Sequence, residues 1–413
     1  MHLRLFEDTA ADHLAPITRT RLLSDVRPGL RTLGEIARDA LADLTRSDAP
    51  LTLAVRAALA DVAAEVHPGA RIVVRPDTAA PLDAADAPTV HVSAAYVAHD
   101  GPVLDRLRAA VAAREAVALW QDGSLVAAVA PGGEAPGELP REEVEHARMV
   151  TRLWHLAPHV RTFIAADVVA RFGDSQATRE GADVHPAAIL VAPEGIHMAP
   201  GSRIRAGAIV SAEKGPVVLD GGAEIMEGAV VRGPIVLGRD SHVKPLASVE
   251  GTSLGPDCRV GGEIHTSIFQ EHSNKGHQGF LGHSFIGAWC NIGASTDTSN
   301  LRNDYRNVPL YDAVAGDFVE TGEQFLGLVL GDHVKCSIGT KFNTGTVVGV
   351  GCNLYDAGFH DRHVPDFSWG PPGAYVPFRF DTFERIATAV LARRDLRVSD
   401  AERALLARLA AAR

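Results

Sequence analysis

The chain has 413 residues, enough for two or three domains and a sizeable core, and its 46% hydrophobic and 22% charged residues are the proportions of a soluble globular protein. A formal net charge of −11 excludes a general nucleic-acid surface, which needs clustered positive charge. The opening MHLRLFEDTAADHL has no apolar stretch of the signal-peptide kind, no apolar run reaches membrane-spanning length, and the four cysteines form no CxxC pair; a cytoplasmic protein with free thiols and no membrane partner is expected.

The first 150 residues mix two periodicities. LGEIARDALADL and DRLRAAVAAREAVALW repeat apolar residues at helical spacing, whereas ARIVVRP, PTVHVSAAYV and GSLVAAVAP read as strands. This predicts a compact α/β domain over 1–150, followed by a helical connector over 151–183.

From about residue 184 the spacing changes. Leu219, Ile225, Val231, Leu237, Val243 and Val249 lie six apart, as do Met198, Ile204 and Val210, and later Leu330, Cys336, Phe342, Val348 and Leu354. Glycine, proline, serine and aspartate fill the gaps, as in GAVVRGPIVLGRDSHVKPLASVEG. A helix repeats every three or four residues and a strand every two, so a period of six points to short strands joined by tight turns. Stacking such coils buries one continuous aliphatic column, and a parallel β-helix is predicted over 184–365. Two excursions leave the pattern, at 211–218 and between Ile292 and Leu330; long irregular loops on a rigid scaffold often carry function. Residues 366–413 read as a Pro- and Gly-rich link and two helices broken near Val398–Ser399.

The segment CRVGGEIHTSIFQEHSNKGHQGFLGHSFIGAWCNIGASTDTSNLRN contains Gly276-His277-Gln278-Gly279-Phe280-Leu281-Gly282. A histidine between glycines suits a general base, since its pKa of about 6.5 lies near neutrality and the backbone leaves room for a substrate. Taken by itself, the same histidine fits a turn held by backbone hydrogen bonds. A metal set of His265, His272, His277 and His283 would still need a carboxylate and tetrahedral convergence.

With GDHVKCSIGTKFNTGTVVGVGCNLYDAGF and the opening LFEDTAADHLAPITRTRLLSDVRPGLRTLGE, these stretches resemble a divergent branch of the bifunctional N-acetylglucosamine-1-phosphate uridyltransferase/glucosamine-1-phosphate N-acetyltransferase family. The resemblance implies an N-terminal nucleotidyltransferase-like (GT-A/Rossmann-like) α/β domain, a left-handed β-helix and a homotrimer. It makes His277 the acetyl-transfer base, with Asn291 and Asn300 on the sugar phosphate and Ser337 and Lys341 on acetyl-CoA; at the same substrate site Lys244 and Lys275 are expected to supply charge, and Glu263 to orient a nearby histidine. Phe280 stands where the family has tyrosine, and His265 where it has lysine. In LAPITRTRLLSDVRPG, Pro16 and Ile17 replace the family's phosphate-loop glycines, which leaves Arg19, Arg21 and Arg27 to hold nucleoside triphosphate, with Mg2+ if that domain transfers nucleotides. The implied function is a sugar-phosphate transferase of nucleotide-sugar biosynthesis. Two alternatives stay open: a nucleotidyltransferase whose β-helix is structural, and a non-catalytic assembly protein that binds a sugar nucleotide.

Overall fold

The computed structural model describes residues 1–99, 101–173 and 177–413. The chain divides into two compact units: Met1–Leu14, Arg21–Val26 and Arg31–Arg152 form the first, and Ala15–Thr20, Arg27–Leu30 and Leu153–Arg413 the second.

The first unit holds β1 (His2–Phe6), β2 (Thr52–Arg56), β3 (Arg71–Arg75), β4 (Thr89–Ser93), β5 (Val117–Gln121), β6 (Ser124–Ala130) and β7 (Arg141–Glu143) in one sheet of order β3-β2-β1-β4-β6-β5-β7. The β3-β2-β1-β4 half is parallel, and β6 runs antiparallel to β4 and β5. All five residues of β4 are buried, the pattern of a parallel strand covered on both faces. Helix α1 (Ala10–His13) follows β1, and α2 (Leu33–Ala40) begins at a capping box in which Thr32 and Glu35 satisfy each other's amides. Next come α3 (Ala60–Val66) and α4 (Pro102–Ala113). The helical pattern expected across DRLRAAVAAREAVALW stops at Ala113, because Arg114 adopts a left-handed conformation (φ 52°) and the apolar run from Val117 joins the sheet.

The second unit opens with α5 (Val160–Phe172), within the expected connector; residues 174–176 of that connector lie outside the described residues. Beyond it the chain coils through three sheets whose strands run parallel from coil to coil, except that Val376–Pro377 pairs antiparallel to Ser368–Gly370. Among the described residues, one face stacks eleven strands from Asp183–Val184 to Val376–Pro377, a second stacks nine from Ile196–Met198 to His363–Val364, and a third stacks six from Ile189–Val191 to Phe280–Gly282. The hexapeptide residues all point inward: Leu219, Ile225, Val231, Leu237, Val243 and Val249 are at most 1% exposed, and Phe342, Val348 and Leu354 are at 0%. Burying each contributes about 1.5–3 kcal/mol, so the column is the main source of this unit's cohesion.

The excursion after Ile292 leaves at the end of Asp297–Thr298, forms the hairpin Leu310–Asp312/Asp317–Val319, and returns at Leu328–Leu330. All four cysteines are buried free thiols, and burial pushes each one up. The chain ends in α6 (Phe380–Ala392) and α7 (Asp400–Ala411), with Ser399 capping α7 through the Glu402 amide. Phe383, Ala387 and Leu406 from these helices pack with Val350 and Phe367 of the coils.

Candidate functional site

His277 lies on a bend at the corner where the eleven-strand face passes into the six-strand face, between Asn274–Lys275 and Phe280–Gly282. Its imidazole is exposed and makes no side-chain hydrogen bond among the described residues. Two glycines make this corner tight. A Cβ on Gly279, at φ +128°, would stand 2.1 Å from the Thr296 carbonyl oxygen, and one on Gly262 would stand 2.6 Å from that of Gly279. The Ser295 amide donates to Gln278 O at 2.9 Å, and the Phe280 amide donates to Asp297 Oδ1 at 2.8 Å. Burial opposes the Asp297 charge, yet hydrogen bonds from Lys341 and the Phe280 amide hold its carboxyl below the usual range. The bend is thus closed by neighbouring coils while its imidazole stays open to solvent.

The other expected residues fall into distinct settings. Asn291 is exposed one coil beyond Asn274, and Lys244 occupies the same corner two coils before Gly276. Glu263 pairs across the six-strand face with Phe280, but its carboxylate takes His265 at 3.2 Å, so the histidine it orients is His265 rather than His277. Asn300 reaches His283 Nδ1 at 2.8 Å, and His283 stacks on Phe325 with ring centroids 5.2 Å apart. Burial, with the neighbouring charges of His265 and Arg161, pushes the His283 imidazole down to about 4. The four-histidine set does not converge, since His272 instead stacks on Trp289 and meets Asp257. Ser337 is half-buried beside Thr340, while the Lys341 ammonium is held by Asp297 and the Ser295 carbonyl.

Lys275 departs most from its expected place. A substrate-binding lysine belongs on the surface, yet Lys275 is 0% exposed inside the coil. The alternation of the strand turns it inward: it follows Val260 in register on the eleven-strand face, where the neighbouring coils carry aliphatic residues.

The expected triphosphate loop is also fixed in place. Within the second unit, Thr20 Oγ1 donates to Asp332 Oδ2 at 2.7 Å, and the buried Gln270 side chain accepts from the Arg27 amide at 3.0 Å and donates to the Arg27 carbonyl at 2.9 Å. The Arg27 guanidinium caps Leu30 O at 2.6 Å, so this arginine holds its own turn. Arg19 is half exposed and lines a cavity of about 480 Å3 with Asp366, 3.8 Å away, and the stacked Tyr311–His363 pair. Arg21, in the first unit, is buried.

In the first unit, polar groups gather where the parallel strands end. The Glu7 carboxylate accepts from Arg56 Nε and Nη2, each at 3.0 Å, and from the Leu23 amide at 2.9 Å. Asp8 accepts from Ser93 at 2.7 Å and the Ala10 amide at 2.9 Å, and Asp12 accepts from Thr78. Burial pushes the Asp8 carboxyl up. Among the described residues no three His, Cys, Asp or Glu side chains gather to hold a metal, and each of these carboxylates accepts hydrogen bonds within the unit. The sequence pattern missed Asp297, Gln270 and the inward turn of Lys275. Only the last had a signal, since Lys275 lies six residues after Phe269 and six before Leu281.

No family model matches this chain. A bifunctional sugar-1-phosphate nucleotidylyltransferase/acetyltransferase of Sulfurisphaera tokodaii is 30% identical over 158 residues, 37% of this chain and 38% of that protein. A bifunctional protein GlmU of Methanococcus vannielii is 35% identical over 121 residues, covering 27% of this chain and 28% of its own. Its counterpart in Methanococcus maripaludis is 38% identical over 108 residues, covering 25% and 26%. A solved UDP-N-acetylglucosamine acyltransferase from Campylobacter jejuni matches 54% of this chain and 94% of its own at 15% identity and a TM-score of 0.25, a value at which the fold rests on the strand ladder described above. The chain spans little more than a third of the first of these curated relatives and less of the others. No described helix is long and apolar enough to cross a membrane. Over the matched segments the chain is similar to a bifunctional sugar-1-phosphate nucleotidylyltransferase/acetyltransferase and to bifunctional GlmU proteins.

Proposed function

We propose that the β-helix transfers an acetyl group from acetyl-CoA to the amine of an amino-sugar 1-phosphate, with His277 as general base. The observation that carries this reading is an exposed imidazole, without a side-chain hydrogen bond among the described residues, on a bend whose backbone is closed by its neighbours. The amine nitrogen attacks the thioester carbonyl carbon, His277 takes the amine proton as the N–C bond forms, and the imidazolium returns it to the departing thiolate. Asn291, Asn300 and Lys244 are proposed to contact the sugar phosphate, and Ser337 and Lys341 the CoA arm. Release of CoA with amino-sugar phosphates tests the reading, and His277→Ala should lower the rate about 10²–10⁴-fold. A variant that acetylates at the wild-type rate removes His277 as the base.

The proposal extends to a cytoplasmic homotrimer in which a second copy covers the His277 corner. Leu246 and Ile338 project from that corner at 75% and 74% exposure, which supports an apolar contact there. Light scattering that found only monomer at micromolar concentration would remove this part.

A second reading concerns the first unit, which we propose binds a nucleotide and is the unit that would carry nucleotidyl transfer. The strand order reverses between β1 and β4, and ligands of such sheets bind beyond the strand ends at that reversal. Asp8 and Ser93 stand there. Calorimetry with nucleoside triphosphates, repeated on Arg21→Ala, and pyrophosphate release with and without Mg2+ separate binding from transfer. Absence of wild-type affinity leaves the first unit without a nucleotide role.

A further inference from the structure

The inner column of the eleven-strand face runs Ile204, Ile225, Val243, Val260, Lys275, Ile292, Cys336 and Leu354, following the strand register from coil to coil. Seven of the eight are apolar side chains of the core, and the eighth is a lysine at 0% exposure. An uncompensated ammonium in such a place is costly, so its partners show why it is tolerated. Nζ donates to the carbonyl oxygens of His277 at 2.6 Å and Gln278 at 3.0 Å. These carbonyls belong to the bend itself, and the lysine reaches them from inside the coil.

The bend is therefore gripped from two sides. Outside, Asp297 takes the Phe280 amide and is paired with Lys341. Inside, the lysine ties the carbonyls of two successive peptide links, His277–Gln278 and Gln278–Gly279, of which Gln278 O also receives the Ser295 amide. An aliphatic residue at this position would fill the column equally well but would leave the His277 carbonyl without that donor. Burial disfavours the charged amine and pushes it down to about 8, yet a neutral amine still has N–H bonds to donate, so the tie survives either protonation state.

We infer that Lys275 is a positioning residue, which fixes the His277 imidazole from within the β-helix by binding the two carbonyls of its bend. This rests on His277 being the acyl-transfer base. Misplacing a catalytic group by about 1 Å can cost on the order of 10²-fold. Lys275→Met should therefore lower kcat about 10–100-fold, with KM for both substrates within about threefold. Its melting temperature should hold or rise, since replacing a buried charge by an apolar residue of similar length is often neutral or stabilising.

A cycle with His277→Ala separates positioning from general damage. If Lys275 acts through His277, Lys275→Met should cost less than about twofold once His277 is absent. A wild-type kcat for Lys275→Met, or the same fold loss in both backgrounds, overturns the inference. Hydrogen exchange reads the assignment without activity: amides of 276–282 should exchange about tenfold faster in Lys275→Met, while the strands of Ile225 and Val243 keep their protection. Unchanged protection at 276–282 also overturns it. Should the wild-type protein transfer no acyl group, the reading of His277 falls, and exchange alone decides whether Lys275 fixes the bend. If Lys275→Met does not fold, Lys275→Gln, whose amide retains N–H donors, carries the same measurements with a smaller expected loss.

Discussion

At Gly279 a missing side chain matters as much as any present one. Its φ of +128° and the 2.1 Å gap between a built Cβ and Thr296 O leave no room for alanine without moving a backbone. Gly279→Ala should cost about 1–3 kcal/mol and lower acyl transfer by displacing the bend. Gly276, one residue before His277, has nothing within 4 Å of a built Cβ and no positive φ, so Gly276→Ala should leave both melting temperature and CoA release near wild type. Equal effects at the two positions would mean that the corner is not held as tightly as its geometry implies. The contrast also shows how far the candidate site was legible. His277 could be read from its glycine-flanked motif, and the role given to it remains a proposal. Its anchor Asp297 was not legible, because it reaches the bend from 17 residues away, as Gln270 reaches the Arg27 turn from a far more distant coil, and separation along the chain is invisible to a local pattern. Lys275 was in register with the apolar column, but its charge read as a surface feature.

Each coil of the second unit repeats one solution, with an inward aliphatic residue on each face and a turn between faces. That is why a six-residue period revealed the β-helix and why its inward residues could be named in advance. The 293–329 excursion has no such period, so its hairpin was not legible. In the first unit, helical spacing continued past Arg114 into a run that the sheet claims, since tertiary pairing decides short apolar stretches. The column makes its own prediction. Ile225 is 0% exposed between Ile204 and Val243, and Ile225→Ala should cost about 2–5 kcal/mol in urea unfolding of the second unit. At the chain's far end, Ser399 accepts the Glu402 amide at 3.1 Å, so Ser399→Ala should cost only about 1 kcal/mol, read as faster exchange confined to α7. A cost at Ser399 as large as that at Ile225 would mean that the C-terminal helices, rather than the column, hold the unit together.

The two compact units should differ in how they meet acid. In the first unit, His91 lies in the middle of β4 at 0% exposure, and neither ring nitrogen has a hydrogen-bond partner among the described residues. Burial, with the nearby charge of Arg4, pushes its imidazole down to about 3. An unfolded histidine titrates near 6.5, so between about pH 6.5 and 3 the unfolded chain binds the proton that the folded chain refuses. Stability should therefore be full above about pH 6.5 and decline as pH falls through that window, by at most a few kcal/mol from this one group. Asp8 acts in the opposite sense: its carboxyl is raised in the folded state, so acidification relieves the cost of its buried charge and offsets part of the loss. In the second unit His283, pushed down to about 4, opposes folding over the same acid range, with a smaller shift. His91→Leu, close in volume and without a proton to gain, should flatten the acid decline of the first unit and leave that of the second unchanged. The measurement is urea unfolding at pH 7.5 and pH 5, followed by hydrogen-exchange protection in β1 and β4 for the first unit and in the coil strands for the second. Equal losses of protection in β4 for wild type and His91→Leu would remove His91 as the acid-sensitive group of the first unit.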